Sequence, residues 1–352
     1  MPVPHTLREL ITAPGPSGYE QRAADVFRQA CASFAHEVVR DQLGSTVARV
    51  RGRGNGPTLA VIGHIDEIGL IVRHIDDKGF LWFGPVGGWD PAVLIGQRVE
   101  VITREGRVPG VVGRTPIHLL KDDDRRKVPE LKDLHIDIGA RDEEDASRHV
   151  RIGDVAVISG EPVELGEDRI VSRSLDNRLG CFVAHEAARL VAEGEPTAAD
   201  VCAVAVVQEE ITFAGASTTA YSLQPDVAIV VDVTFATDVP GADEKELGRH
   251  RLGSGPVIAR GATLNPQIFD LLYDTATAEG IPFTVEASGR KTGTDLDAVH
   301  LSRAGVPSAL VSIPLRYMHS PVEMVELVDV ANAAKLIAAF ARRLDSSLDF
   351  RR

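Results

Sequence analysis

The sequence predicts an α/β protein whose helix-covered sheet is interrupted by a small inserted β-domain. After about residue 165, apolar strands alternate with helical patterns, which is typical of a sheet covered by helices. Between about 68 and 164 the chain has short alternating stretches separated by Gly, Pro and Asp, as in a small β-barrel or sandwich. The first region is too short for a domain of its own. We therefore expect one domain formed by 1–67 plus 165–352, with 68–164 inserted into it.

The individual elements follow from local patterns. Ser17 and Glu20 have the spacing of a capping box, and apolar residues from Val26 to Val38 recur at helical spacing. The strand "TLAVIGH" (58–64) follows. The inserted segment contains the alternating stretches "GLIVRHI", "FLWFGPV", "QRVEVIT", "RVPGVVG" and "DVAVISG". In the last region the patterns predict helices near 177–193, 266–279 and 328–345, and buried strands near 200–207, 226–232 and 307–313.

Composition restricts the possible partners and compartment. The 352 residues carry a net charge of −13, which argues against nucleic-acid binding because phosphate contacts need clustered Lys and Arg. No apolar run reaches the roughly 18 residues of a membrane span, and the N-terminus lacks the pattern of a signal peptide. Cys31, Cys181 and Cys202 lie in apolar patterns without CxxC spacing. We therefore predict a reduced, cytoplasmic protein with no membrane partner.

Charged and imidazole side chains follow several of the apolar strands. Ligands of open α/β sheets bind outside the carboxyl ends of the strands, so these side chains are candidates for a common site. Alone, each also has an ordinary structural explanation, such as a strand end, a helix start or a buried hydrogen bond. The candidates are His64, Asp66, Glu67, Asp176, Glu209, Glu210, Asp232 and His319.

Taken together, these side chains indicate a metal site. Imidazole and carboxylate ligands suit divalent ions such as zinc or cobalt, whereas calcium is normally held by oxygen ligands alone. Because a catalytic zinc uses three protein ligands, the larger number of candidates favours two ions with a bridging carboxylate. Glu209 and Glu210 are neighbours and can share the site only where their strand has turned. One of them can then bind metal while the other transfers a proton.

Other catalytic classes have less support. The carboxyl pair of a glycosidase must flank a sugar bond roughly 5 to 9.5 Å apart, which adjacent residues rarely do. There is no G-x-S-x-G stretch for a serine nucleophile. "GRKTGTDLD" (289–297) lacks the Gly-Lys-Ser/Thr order of a phosphate-binding loop.

Five motifs, in this order, resemble those of the M42 family of dinuclear metallo-aminopeptidases, which includes TET peptidases and glutamyl and leucyl aminopeptidases. They are "GHIDEIG", "SLDNRLG", "VQEE", "VVDV" and "RYMHSPVE". The segments "TPIHLLKDDDRRKVPELKDLHIDIGA" (115–140) and "LGSGPVI" also resemble the family, and the likeness covers nearly the whole chain. The chain departs from the family pattern at "ITFAGA", after the paired glutamates, and at "KTGTDLDAVH". These departures concern the substrate pocket.

The resemblance implies a fold and a set of roles. The fold would be a phosphorylase/hydrolase-like aminopeptidase catalytic domain, a mixed sheet flanked by helices, with an inserted PDZ-like β-barrel that assembles dimers and, in many members, tetrahedral dodecamers. The catalyst would use two divalent ions per subunit, zinc or cobalt before manganese, on short peptide substrates. The implied metal ligands are His64, Asp176, Glu210, Asp232 and His319, with Asp176 as the bridge; Glu209 would be the general base and acid, and Asp66 would orient His64.

Two alternatives remain open at this stage. A related metal-dependent amidohydrolase or deacylase would use the same centre, and a peptide-binding scaffold would retain a structural metal but has no need of Glu209. The preferred N-terminal residue is also open: "FTVEASGRKTG" and the 234–260 loop are expected to line its pocket, but the directions of their side chains cannot be deduced. Arg260, Arg290 and Lys291 would favour acidic side chains if they line the pocket, but they are equally explained as surface charges.

Overall fold

A computed structural model describes residues 2–54 and 56–351 of the chain. The β-strands are, in chain order, β1 (Glu37–Arg40), β2 (Thr46–Val50), β3 (Thr58–His64), β4 (Gly69–Ile75), β5 (Leu81–Val86), β6 (Arg98–Thr103), β7 (Gly106–Arg114), β8 (Leu134–Asp137), β9 (Val155–Ile158), β10 (Val163–Leu165), β11 (Arg169–Ser172), β12 (Asp200–Val206), β13 (Val227–Phe235), β14 (Val257–Gly261), β15 (Thr284–Ser288), β16 (Ser308–Leu315) and β17 (Glu323–Glu326).

The α-helices are α1 (His5–Thr12), α2 (Gln21–Cys31), α3 (Pro91–Leu94), α4 (Asp122–Arg125), α5 (Glu143–Ser147), α6 (Leu175–Ala192), α7 (Glu209–Thr212), α8 (Ala214–Leu223), α9 (Glu244–Leu247), α10 (Pro266–Ala278), α11 (Leu296–Val299) and α12 (Leu327–Arg343). Single 3₁₀ turns cover Ile117–Leu119 and Leu131–Asp133. In the part of the chain that the structure describes, no helix combines the length and apolar character that crossing a bilayer requires.

The main sheet is mixed, with the strand order β1-β2-β12-β3-β13-β16-β14-β15. Its centre, from β12 to β16, is parallel, whereas β2 and β14 run antiparallel to their central neighbours. The central strands are buried on both faces, as continuous runs of Val, Ile and Ala in a parallel sheet require. Helices α1, α2, α6, α10 and α12 pack on one face, and α8 and α11 pack on the other.

The inserted segment closes on itself. Strands β4 to β9 form a closed barrel in the order β4-β5-β8-β7-β6-β9, with its own apolar interior. Closure leaves no unpaired strand edge. A third, small sheet, β10-β11-β17, lies outside both. The predicted fold class, a helix-flanked mixed sheet with a small β-barrel, is confirmed, and of the two forms considered for the β-rich segment the barrel is correct.

The capping box predicted at Ser17 is wrong. Helix α2 begins at Gln21, its N-cap residue Glu20 makes no side-chain cap, and Val38 lies in β1 rather than in the helix. The hydroxyl of Ser17 instead donates a hydrogen bond to the carboxylate of Asp66. The side chain of Ser17 therefore bonds to a residue distant in sequence and not to the start of the helix, as its spacing from Glu20 had suggested.

Two glycines allow α6 to lie directly against the sheet. A Cβ on Gly63, in β3, would lie 2.4 Å from the backbone carbon of Gly180, and a Cβ on Gly180 would lie 2.5 Å from the carbonyl oxygen of Val231. Such distances leave no room for any side chain. The close approach brings the first turn of α6, with Asp176, against the carboxyl ends of β3 and β13.

Candidate metal centre

The predicted ligands converge at the carboxyl ends of the central strands. His64 is the last residue of β3 and Asp232 lies in the last half of β13, while Asp176 lies in the first turn of α6. Glu210 lies in α7, directly after β12, and His319 follows β16. This is the edge at which open α/β sheets bind ligands. All these ligand side chains line one cleft.

Asp176 lies between the two histidines. Its Oδ1 is 3.2 Å from Nε2 of His64, and its Oδ2 is 3.4 Å from Nε2 of His319. Burial raises the pKa of this carboxyl, but hydrogen bonds from His319 and His64 outweigh it and hold the pKa below its usual range. One carboxylate therefore offers an oxygen to each of two neighbouring positions.

Each histidine has a further carboxylate nearby. Nε2 of His319 lies 3.3 Å from Oε1 of Glu210, and Nε2 of His64 lies 4.0 Å from Oδ1 of Asp232. Hydrogen bonds to Asp176 and Glu210 raise the pKa of His319 to about 11. Burial raises the pKa of Asp232 to about 7. These shifts describe a buried group of acids that needs positive charge beside it.

Glu209 lies next to these ligands. Its Oε2 is 3.8 Å from Nε2 of His64, and its ligand atom, with those of His64 and Asp232, forms a group close enough to surround an ion. Burial and the charges of Asp232, Asp295 and Glu210 raise the pKa of Glu209 to about 10, against the opposing effect of His64. The geometry is compatible with Glu209 as a ligand or as a proton carrier.

Asp66 is fully buried beneath the centre and holds three parts of it. It accepts hydrogen bonds from the backbone N–H of Glu209 and of Glu210, both at 3.1 Å, and its Oδ1 lies 3.5 Å from Nδ1 of His64. The hydroxyl of Ser17 is its fourth partner. The backbone carbonyl oxygen of Asp66, 3.3 Å from Nδ1 of His64, and this carboxylate together fix the orientation of the ring, which is the usual task of groups behind a metal-binding histidine.

Sequence reasoning missed Glu323, which is also buried. Its Oε2 accepts a hydrogen bond from the backbone N–H of Asp176 (3.1 Å), and its Oε1 accepts one from that of His319 (3.0 Å). It therefore connects the first turn of α6 with the loop after β16, each of which carries a predicted ligand. The signal was present in "RYMHSPVE", which contains both His319 and Glu323, but the spacing gave no indication of a backbone contact with Asp176.

Glu67, the other candidate acid at this strand end, has a structural role. Its carboxylate accepts hydrogen bonds from the backbone N–H of Gly15 (3.0 Å) and from Nη2 of Arg178 (3.2 Å), and it also pairs with Arg173. Its negative charge is balanced by two guanidinium groups, so it does not need a metal ion beside it. At this position the ordinary structural explanation, a carboxylate at a strand end, is sufficient.

The donor set fits divalent metal ions. Two groups of side chains, His64 with Asp176 and Glu210, and His64 with Glu209 and Asp232, have ligand atoms within 4.8 Å of one another. Among the described residues that line the cleft there is no lysine or arginine to balance these acids. Buried charges must be paired or coordinated, and mixed imidazole and carboxylate ligands suit borderline divalent ions.

The cleft extends from these ligands across the sheet and has a volume of about 460 Å³. Its far part is lined by Thr234, Ala259, Glu286, Ser288 and a turn at 292–294. Arg260, which was considered as a pocket residue, lies over the ring of Phe269 at 5.2 Å and outside this cleft. Arg290 and Lys291 are exposed and do not line it either.

Comparison with known proteins agrees with the resemblance to metallo-aminopeptidases. The model of the family described as M42 glutamyl aminopeptidase matches residues 44–336. The lysyl aminopeptidase of Pyrococcus furiosus is 37% identical over 348 residues, which covers 98% of each chain. The solved TET aminopeptidase of the marine sediment archaeon Thaumarchaeota archaeon SCGC AB-539-E09 is 36% identical, with a TM-score of 0.92 over 97% of this chain and 96% of that one.

A further solved structure, the TET1 peptidase of Pyrococcus horikoshii, assembles into a tetrahedron or a large octahedral shell. It is 31% identical, with a TM-score of 0.84, over 96% of this chain and 99% of that one. The family match, the near-complete coverage and the metal-binding donor set agree with the resemblance noted in the sequence. The chain belongs to the M42 glutamyl aminopeptidase family and is a metal-dependent aminopeptidase.

Proposed function

We propose that the chain removes N-terminal residues from short peptides at a centre of two divalent ions. His64 and Asp232 would hold one ion, His319 and Glu210 the other, and Asp176 both. The observation that carries this proposal is the position of Asp176, whose two oxygens face the two histidines at 3.2 and 3.4 Å. Zinc or cobalt suits these ligands best, and manganese is the third candidate.

Held by these five residues, two ions would supply Lewis-acid chemistry: a site for the substrate's free amine, polarisation of the scissile carbonyl, and a pKa of bound water lowered toward about 7. The protein supplies the proton transfer. Glu209, beside the ligands but 3.8 Å from the nearest imidazole nitrogen, would take a proton from the water and return it to the leaving amine. Proton transfer by a positioned side chain is typically worth about 10²- to 10⁴-fold in rate.

Asp66 would act through other residues. It fixes the ring of His64 and the start of α7 by the contacts described above, so its role is to position the ligand and the base. It is not expected to touch the substrate itself, since it is fully buried.

The test is Glu209→Gln, which preserves shape but removes the titrating oxygen. The variant should bind the same amount of metal as the wild type and lose about 10²- to 10⁴-fold in kcat on amino-acid p-nitroanilides. Near-normal turnover would refute the assignment of Glu209. Hydrolysis of N-acylated amino acids in preference to free-amine substrates by the wild type would refute the aminopeptidase mechanism and favour a deacylase.

The inserted barrel is proposed as an assembly domain spanning 68–164, with 1–67 plus 165–352 as the catalytic domain. Its segment 117–128 exposes large apolar side chains, with 61% of Ile117, 75% of Leu119 and 75% of Val128 accessible. Exposed apolar groups of this size favour contact with another chain. A homo-oligomer built from dimers is therefore expected, with a tetrahedral dodecamer as its largest form. Light scattering with and without residues 117–128 replaced by polar ones tests this.

We place the enzyme in the cytoplasm. Cys31, Cys181 and Cys202 are all buried and free of disulfides, which suits a reducing compartment. Fractionation of cells that express the tagged chain would test the location.

A further inference from the structure

Glu286 is a carboxylate of the cleft that the metal centre does not use. It lies in β15, an edge strand of the main sheet, and pairs in register with Ala259 of β14. Glu286 and Ser288 are half-buried in the cleft wall, whereas the alternate residues Val285 and Ala287 are exposed. Side chains alternate along a strand, so that of Glu286 is directed into the cleft.

The position of Glu286 relative to the metal centre is fixed by Thr234. The hydroxyl of Thr234 donates a hydrogen bond of 3.1 Å to Oε2 of Glu286. Thr234 follows the proposed ligand Asp232 by two residues on the same face of β13, a distance of roughly 7 Å along the strand. The carboxylate of Glu286 thus lies about one long side chain away from the ligands, inside the same cleft.

The negative charge of Glu286 is not balanced by the protein. Among the described residues, no lysine or arginine forms an ion pair with it, and Oε1 has no hydrogen-bond partner. His250 is the nearby titratable group on the neighbouring side, but burial lowers the pKa of His250, and its Nδ1 is bonded to Thr284. A carboxylate held by one hydroxyl and open to the cleft can accept a cation.

The lining of the cleft includes apolar side chains as well as hydroxyl groups. The apolar ones include Phe213, Val233, Leu310 and Met318. A lysine or arginine side chain combines an aliphatic stem with a cationic end, and so matches a partly apolar cleft that contains an unpaired carboxylate. A glutamate or aspartate side chain would instead bring a second negative charge to Glu286 with no cation beside it, which disfavours binding.

We propose that Glu286 selects peptides whose N-terminal residue is lysine or arginine, by accepting the side-chain cation at the end of the cleft. This inference rests on the proposed function, because it assumes that the substrate's N-terminus is held at the metal centre. It assigns specificity to a residue outside the ligand set. Arg260, Arg290 and Lys291 lie outside the cleft and do not offset the charge of Glu286.

The experiment compares kcat/KM of the metal-loaded enzyme for the p-nitroanilides of lysine, arginine, norleucine, leucine and glutamate. The ratio of lysine to norleucine isolates the ammonium group, because norleucine has an unbranched aliphatic side chain without charge. In the wild type this ratio should exceed ten. Glu286→Gln should lower it by about ten- to a hundredfold, the range for a hydrogen bond to a charged group, and mainly through KM.

Two further variants sharpen the comparison. Glu286→Lys should reverse the preference, so that the ratio of glutamate to lysine rises above one. Glu246→Gln makes the same chemical change at an exposed residue outside the cleft and should leave every ratio unchanged.

The outcomes separate this inference from the proposed function. Wild-type enzyme that cleaves leucine and norleucine substrates but has no lysine preference, or a Glu286→Gln variant with an unchanged ratio, overturns the inference and leaves the aminopeptidase mechanism intact. Failure of the wild type on every free-amine substrate overturns the proposed function and the inference with it.

Discussion

Replacing Asp66 by Asn tests whether the metal centre depends on a buried carboxylate that touches no metal. The side chains have the same shape, but Asn has one acceptor oxygen where Asp66 has two. Oδ1 serves the backbone N–H of Glu209 and the ring of His64, and Oδ2 serves the backbone N–H of Glu210 and the hydroxyl of Ser17. Whichever oxygen is replaced by the amide NH2 of Asn, one backbone N–H loses its acceptor and faces that NH2, which is another donor.

The size of the effect follows from these contacts. A buried donor left without a partner costs about 1–3 kcal/mol, and loss of the negative charge weakens the remaining bonds, since hydrogen bonds to charged groups are worth about 1.5–3 kcal/mol. We expect a total of about 2–4 kcal/mol, equivalent to roughly 30- to 900-fold. It should be divided between weaker metal binding and lower kcat, because Asp66 holds both the ring of His64 and the start of α7.

The assay is a metal titration against a competing chelator, together with kcat/KM at saturating metal. The matched control is Ser17→Ala, which removes one partner of Asp66 and leaves the charge and both backbone bonds in place. The loss of about 1.5–3 kcal/mol should lower the free energy of unfolding, while metal affinity and kcat/KM stay within about tenfold of the wild type. Asp66→Asn with metal affinity and kcat/KM within threefold of the wild type would refute the argument that Asp66 positions the centre.

Three other changes test the centre and its support. Glu323→Gln removes one of two acceptors for the backbone N–H of Asp176 and His319 and should weaken metal binding by about 10- to 100-fold, measured by the same titration. Gly63→Ala places a methyl 2.4 Å from the backbone of Gly180 and should lower the free energy of unfolding by about 1–3 kcal/mol in chemical denaturation, whereas Gly289→Ala, whose Cβ meets nothing within 4 Å, should be near neutral. Metal removal should lower Tm more at pH 8 than at pH 6. Burial raises the pKa of Asp232 from 3.8 to about 7, so the metal-free fold favours the protonated acid and loses stability as pH rises between these values, whereas bound metal favours the carboxylate. An equal loss of Tm at both pH values would contradict this.

The sequence was sufficient to predict that these candidate side chains meet at one site, because their positions follow from topology. His64, Glu210 and Asp232 each lie at or just after the carboxyl half of a buried strand, and parallel strands bring such positions to one edge. Neither the strand order nor any distance was needed for that inference. The same reasoning could not separate Glu67 from its neighbour Asp66, because side chains at one strand end differ in direction, and direction depends on tertiary partners.

Glu286 shows what the sequence could not supply. It lies more than fifty residues beyond Asp232 in the chain, in a segment that was expected to line the pocket, but the direction of its side chain could not be deduced. Its place in the cleft depends on β15 pairing with β14, and on β14 pairing with β16. These pairings are non-local and are not encoded in spacing. The capping box predicted at Ser17 was wrong for a related reason: the side chain bonds to a tertiary partner, Asp66, instead of the local helix.

The different roles proposed for Glu209 and Glu210 follow from how the backbone leaves β12. That strand ends at Val206, and Gln208 adopts a left-handed conformation with φ of 61°, so the two glutamates begin a helical turn instead of lying on opposite faces of a strand. Asp66 accepts a hydrogen bond from the backbone N–H of each glutamate, and these two bonds fix that turn. Their side chains then diverge, Glu210 to within 3.3 Å of His319 and Glu209 to 3.8 Å from His64. A ligand and a proton carrier can therefore be adjacent in sequence only because a buried carboxylate on another strand end holds the turn that separates them.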